Sequence, residues 1–286
     1  MAHSHDGIDW AGWFERLREA DQLAADEQRQ VAVRLVRPDT QVVVDVGSGA
    51  GGMSAAFAEA LPAGGTVVLV DSAPELLHAA TAQVRTVSGE RVEVRAVQAD
   101  ADDDALLDLV PRAYLVFASF VLHHLPDQQR GLERLSALVR PGGRLALVEW
   151  GLEQRCLPWD LGLGEPDLQG RLGAAHGEWF RQMRAAMDGV VRLSVGWNRA
   201  LSDAGLEDVS SFSYLVDRPA PPNGEVRAAV LRWLSGMRDK AQPWISEPDL
   251  RVVDELLDED GPHYVGRRDD VFVLTAHTVH MGTAPS

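Results

Sequence analysis

Four glycines fall within the six residues from Gly47 to Gly52, at positions 47, 49, 51 and 52, and the aspartate Asp45 stands two residues before the first. Glycine has no Cβ, so such a stretch can turn tightly and bring its backbone within contact distance of a ligand. Two ligand classes fit the glycines. Gly47, Gly49 and Gly52 satisfy the dinucleotide pattern G-x-G-x-x-G, and Asp71 follows at about the spacing of a ribose-binding acid. Asp45 tips the balance the other way. Its carboxylate would repel a bound pyrophosphate where no bulk water screens the two charges, and would attract the ammonium of an amino-acid moiety.

Positioning these groups falls to the elements around them. Val42, Val43, Val44 and Val46 make a short apolar β-branched run, which predicts a strand covered on both faces. Met53 to Leu61 reads as a helix whose N-terminus faces the same ligand. Further strands are expected at Thr66–Val70 ending on Asp71, at Val92–Ala99 ending on Asp100, at the start of Tyr114–Leu125, and within Arg140–Trp150. Pro74–Val87 should be a helix with Ser72 as its N-cap. Strand and helix alternate from Val42 to Trp150, the sequence form of a parallel sheet with helices on both faces.

The pattern D-x-G-x-G-x-G, carried by Asp45, Gly47, Gly49 and Gly51, resembles the first motif of the class I S-adenosylmethionine (SAM) dependent methyltransferases. The later strands resemble that family's core in order and spacing over roughly residues 40 to 150. The resemblance implies an α/β fold: a Rossmann-like, seven-stranded, mostly parallel sheet with helices on both faces and a helical cap. It implies SAM as cofactor, with Asp71 on the ribose hydroxyls and Asp100 near the adenine amino group. The implied cofactor-binding set is Asp45, Gly47, Gly49, Gly51, Asp71, Ser72, Asp100, Ala101 and Ser119. Ala113 and Tyr114 depart from the pattern, since an aspartate often begins the family's fourth strand.

Outside the core the expected organisation is an N-terminal helical lid (1–40), the SAM-binding core (41–150), a cap insertion (151–195), a continuation of the core (196–217), a second helical cap insertion (218–269) and a last strand with its tail (270–286). Trp10, Trp13, Phe14 and Leu17 recur at helical spacing as one apolar face. Leu23–Val36 is a second helix, stopped before Pro38. The lid could cover substrate or simply pack on the sheet. Gly151–Leu193 shows no obvious strand. Helix is expected at Trp197–Ala204, Glu225–Asp239 and Pro248–Glu259, and strand at Val209–Val216 and Val271–His280. No tryptophan lies inside the core stretch before Trp150, so large aromatic surface concentrates where the resembling family places its cap. Asp102, Asp103 and Asp104 read as a solvated loop and helix start.

Methyl transfer of the implied kind needs alignment of nucleophile and methyl group, and a base as well when the acceptor is a hydroxyl. His123 and His124 follow the fourth strand, at the sheet end where open α/β folds bind ligands. Both also read as packing or cofactor-contacting residues. Glu149 ends the fifth strand on the same edge, so His123 is nominated as base and Glu149 as the group that orients it. His176, Arg181, Tyr214, His263 and Tyr264 are possible substrate contacts. Methylation of oxygen or nitrogen on a small molecule is the leading function. A non-methylating reaction such as cyclisation, or non-catalytic SAM binding, is the alternative.

Composition narrows the partners. The 286 residues carry a net charge of -16, which argues against nucleic acid and an anionic membrane surface. Hydrophobic residues are 45% of the chain, enough for a sizeable core. One cysteine, Cys156, permits no internal disulfide and suggests a reducing compartment. No apolar run approaches a bilayer span and the N-terminus has no basic or apolar stretch, so a cytoplasmic protein is expected. His3, His5 and Asp6 are the only invitation to a metal, and no metal site is expected there.

Overall fold

The computed structural model describes residues 10–286, so His3, His5 and Asp6 lie outside the described residues. The chain forms two compact units. The first holds the described residues up to Trp150 together with Val191–Tyr214 and His277–Ser286, and the second holds Gly151–Val190 and Leu215–Ala276.

The strands are β1 (Val42–Val46), β2 (Thr66–Asp71), β3 (Glu93–Gln98), β4 (Ala113–Ser119), β5 (Val139–Arg155), β6 (Glu207–Arg218) and β7 (Val273–Thr283). They form one seven-stranded sheet in the order β3-β2-β1-β4-β5-β7-β6. Strand β1 pairs in parallel with β2 and β4, β2 with β3, and β4 with β5. The first unit's helices are α1 (Trp10–Leu23), α2 (Ala25–Leu35), α3 (Gly52–Ala60), α4 (Pro74–Ser88), α5 (Leu106–Leu109), α6 (Gln128–Ala137) and α8 (Trp197–Asp203).

Side-chain alternation along the strands explains why both faces are covered. Val43, Val67, Leu69, Leu115 and Phe117 pack in one core with residues of α2, α3 and α4, while Val44, Val68, Val70, Val116 and Ala118 pack in the other with residues of α5, α6 and α8. A continuous apolar run is what a strand buried on both sides requires. Phe117 meets Phe57 of α3 edge to face, with ring centroids 5.0 Å apart.

Two expectations need correction. Strand β5 does not end at Trp150 but continues to Arg155; what ends at Glu149 is its buried part, since the side chains of Trp150 to Glu153 are exposed. The polar tail GLEQR lacks an apolar face, so pattern alone hides the strand. Ser72 is not the cap of α4: Ala73 holds that position without a side-chain bond, Pro74 opens the helix, and Asp71 Oδ1 accepts the Ala73 N–H at 3.0 Å. The acid run is an exposed loop leading into α5, as expected, and within it Asp104 accepts from the buried Arg134 guanidinium at 3.0 Å and from Arg130 at 2.7 Å. Of the α1 face, Trp13 remains 39% exposed, so the helix does not bury the whole apolar stripe.

In the second unit, α7 (Leu168–Ala185), α9 (Gly224–Ala241) and α10 (Glu247–Leu257) are capped by Asp167, Asn223 and Ser246 respectively. Arg171 binds Asp249 through two bonds of 2.9 and 2.8 Å, and Gln169 accepts the N–H groups of Cys156 and Leu157. Burial pushes the Cys156 thiol up to about 12. No helix among the described residues is long and apolar enough to cross a membrane.

Candidate active site

The turn after β1 is fastened to β2 by backbone. The N–H groups of Gly47 and Ser48 both reach the Val70 carbonyl, at 2.8 and 3.0 Å. Gly47 has φ +70, and a Cβ there would lie 2.3 Å from Val121 Cγ2, so no other residue fits without moving the segment after β4. Asp71 Oδ2 accepts the Gly49 N–H at 3.0 Å while Oδ1 holds Ala73. One carboxylate thus sets the glycine turn and the start of α4 relative to β2.

These elements enclose a pocket of about 180 Å³ at the strand ends. Gly47, Asp71, Ser72, Asp100 and Ala101 of the sequence-predicted set stand on its wall, joined by Phe120, Val121, His124 and Leu125. Acids at Asp71 and Asp100, with a backbone left bare at Gly47, suit the hydroxyls and amino group of a nucleoside. Asp45, Gly49, Gly51 and Ser119 are not on the wall. Asp45 is 2% exposed and accepts the Ser54 hydroxyl at 2.6 Å. Burial, opposed by that bond and assisted by the charges of Asp21 and Asp71, pushes the Asp45 carboxyl up to about 7. Gly51, with φ +88, leads into α3 and packs under Ala80 and Val84 of α4.

Two residues that sequence reasoning missed shape this pocket. Arg134 is 5% exposed and donates to the Ala101 carbonyl at 2.8 Å, holding the far wall. No local pattern signals it, since its partners Ala101 and Asp104 lie 33 and 30 residues before it. Phe120 has φ 56, a left-handed conformation that a bulky side chain seldom adopts. Its ring lies 5.3 Å from Trp150 and 4.9 Å from His277.

Beyond Phe120 the structure brings His123 and Glu149 together. His123 lies in a short 3₁₀ turn (Leu122–His124), is 5% exposed, and its Nδ1 is 2.9 Å from Glu149 Oε2. Glu149 Oε1 is buried with no hydrogen-bond partner. The rings of His124 and Trp150 lie 4.0 and 4.2 Å from that of His123. Trp150 is 50% exposed, so the pair sits just under the surface of the first unit. Nearby, His277 Nδ1 lies 3.2 Å from the Tyr214 hydroxyl. Burial lowers His277 to about 4 against a small opposing pull from Glu27, and raises Tyr214, with Glu27 and Asp21 adding to the rise.

Of the other nominated contacts, Tyr214 belongs to the first unit and the rest to the second. His176 stacks on Trp179 at 5.0 Å, Arg181 pairs with Glu178, and the Tyr264 hydroxyl lies 3.4 Å from Glu259, each within the second unit. His263 is exposed. Among the described residues no group of three His, Cys, Asp or Glu side chains could hold a metal ion.

The methyltransferase domain family matches residues 44–145. An uncharacterized methyltransferase of Mycobacterium tuberculosis is 32% identical over 182 residues, covering 62% of this chain and 67% of that protein. Trans-aconitate 2-methyltransferase of an Azoarcus strain is 34% identical over 127 residues, 43% of this chain and 46% of the relative. The chain therefore spans less than half the length of the Azoarcus protein. Among solved structures, an O-methyltransferase family protein from Burkholderia thailandensis shares the fold with a TM-score of 0.54 at 15% identity, over 99% of this chain and 61% of that one.

Proposed function

Because the chain belongs to the class I SAM-dependent methyltransferases, we propose that its acceptor is a small molecule methylated on oxygen or nitrogen, with the His123–Glu149 pair removing the acceptor's proton. The observation that carries this reading is the bond of 2.9 Å between the buried His123 Nδ1 and Glu149 Oε2, at the ligand end of the sheet and next to Phe120 and His124 of the pocket wall. Gly47, Asp71, Ser72, Asp100 and Ala101 would hold the nucleoside of SAM. Bound SAM would supply a methyl group already activated by its sulfonium.

What remains for the protein is alignment and proton removal. Holding acceptor and methyl in line is worth roughly 7 to 11 kcal/mol. With its Nδ1–H donated to Glu149, His123 keeps Nε2 as its basic nitrogen. In such a transfer His123 Nε2 would take the acceptor's proton, and the Glu149 carboxylate would stabilise the resulting imidazolium. Such a base contributes about two to four orders of magnitude in rate. The rings of Phe120 and Trp150 beside the pair favour a flat or apolar acceptor.

Label transfer tests the proposal. Methyl-labelled SAM incubated with the enzyme and a cell extract should give labelled small molecules whose new methyl is bound to oxygen or nitrogen. Label found only on carbon, or only in macromolecules, would overturn the acceptor class.

A further inference from the structure

Asp45 is the carboxylate that the sequence offers to a cationic ligand group, yet it is 2% exposed and engaged by Ser54. A second carboxylate lies against the glycine turn from a different element. Asp21, in the last turn of α1, accepts the Gly52 N–H through Oδ2 at 3.1 Å and the Gln28 side-chain amide through Oδ1 at 2.8 Å. A Cβ on Gly52 would lie 2.3 Å from its carboxyl carbon, and Leu17, one turn earlier, lies 3.5 Å from where a Gly49 Cβ would be. Helix α1 therefore rests directly on the turn. Among the described residues no Lys, Arg or His pairs with Asp21; its partners are Gln28 and Gly52. The same turn holds a polar group in need of a partner: Ser48 is 8% exposed and its hydroxyl oxygen bonds to nothing. A buried orphan hydroxyl costs free energy unless a ligand satisfies it.

We propose that Asp21 receives the ammonium of the cofactor's amino-acid end, with the Ser48 hydroxyl completing that end's hydrogen bonds. The proposal rests on SAM being the cofactor. An ammonium there supplies the positive charge that Asp21 lacks, and the charge-assisted bond forms where solvent screens it little. Gln28 fixes the carboxylate before the ligand arrives, and α1 becomes part of the cofactor site.

Two ligands separate this role from helix capping. S-adenosylhomocysteine carries the amino-acid end, whereas 5′-methylthioadenosine keeps the nucleoside and lacks it. Asp21→Asn preserves an acceptor for the Gly52 N–H, as asparagine caps helices about as well as aspartate. In titration calorimetry Asp21→Asn should weaken S-adenosylhomocysteine about ten- to a hundredfold, the scale of a hydrogen bond to a charged group, and leave methylthioadenosine unchanged with a melting temperature near that of the wild type. Unchanged affinity for S-adenosylhomocysteine, or an equal loss for both ligands, would overturn the assignment of Asp21. A wild-type protein that binds neither ligand would overturn the cofactor reading itself, and this proposal with it.

Discussion

At the ends of β1, β2 and β3 the pocket is made by backbone and by acids at the strand termini: Gly47, Asp71 and Asp100 each stand within two residues of a strand end. Just past β4 and within β5, β6 and β7 the groups are rings and ionisable side chains gathered from afar, with His123 bound to Glu149 26 residues on and Tyr214 to His277 63 residues on. The first region is held by main-chain bonds that leave it little freedom. The second depends on side chains whose protonation and rotamers the neighbours set. The contrast predicts that substitutions in the first act on cofactor affinity and stability together, and that those in the second act on turnover or pH dependence with the cofactor still bound.

The largest effect should come from the second region. With an acceptor found by label transfer, His123→Ala should lower kcat by about two to four orders of magnitude with S-adenosylhomocysteine affinity intact. Glu149→Gln should lower it less, and the double variant should fall little below His123→Ala, because groups working as a unit are not additive. Near wild-type turnover of His123→Ala across about pH 6 to 9, which spans histidine titration, would erase the distinction between the regions.

In the first region, Gly47→Val places a β-branched side chain at φ +70 against Val121. Loss of about 2 to 4 kcal/mol of stability is expected, with cofactor affinity falling as well. Thermal melts and calorimetry on one preparation would show both; a drop in one alone would mean that turn and pocket are not one structure.

Each region also contains a buried group whose titration sets stability, and the signs oppose. Asp45 keeps its proton in the fold up to about 7, against 3.8 ordinarily, so its contribution is lost as pH rises from about 4 to 7. His277 stays neutral in the fold down to about 4, against 6.5 ordinarily, so its contribution is lost as pH falls from about 6.5 to 4. Each is worth about 2 to 4 kcal/mol over its window. Melting temperatures of Asp45→Asn should gain on the wild type as pH rises, and those of His277→Gln should gain as pH falls. Parallel pH curves for a variant and the wild type would show that the group does not titrate as its burial requires. The smallest effect belongs to Tyr214→Phe, which removes the hydroxyl beside His277 and should cost about 1 kcal/mol in a denaturant melt.

The same contrast explains what the sequence disclosed. The parallel core was legible because apolar runs such as Val42–Val46 and Thr66–Val70 sit at regular intervals, and because glycine spacing reports a backbone requirement directly. The polar tail of β5 was not, since its side chains, mostly exposed, show no apolar alternation. Within the site, a turn motif nominates positions but not directions: Asp45 and Gly47 are two residues apart, yet Gly47 lines the pocket while Asp45 turns inward to Ser54. Arg134, Asp21 and Phe120 were illegible for another reason. Each acts through a partner distant in sequence or through a backbone angle, and neither leaves a local pattern.

Calorimetric titration of the wild-type chain with S-adenosylhomocysteine, with NAD as the competing ligand class, tests the central claim most directly. Saturable heat with S-adenosylhomocysteine, none with NAD, and an Asp71→Asn variant weakened about ten- to a hundredfold is the predicted result. Saturable binding of NAD with none of S-adenosylhomocysteine would contradict it.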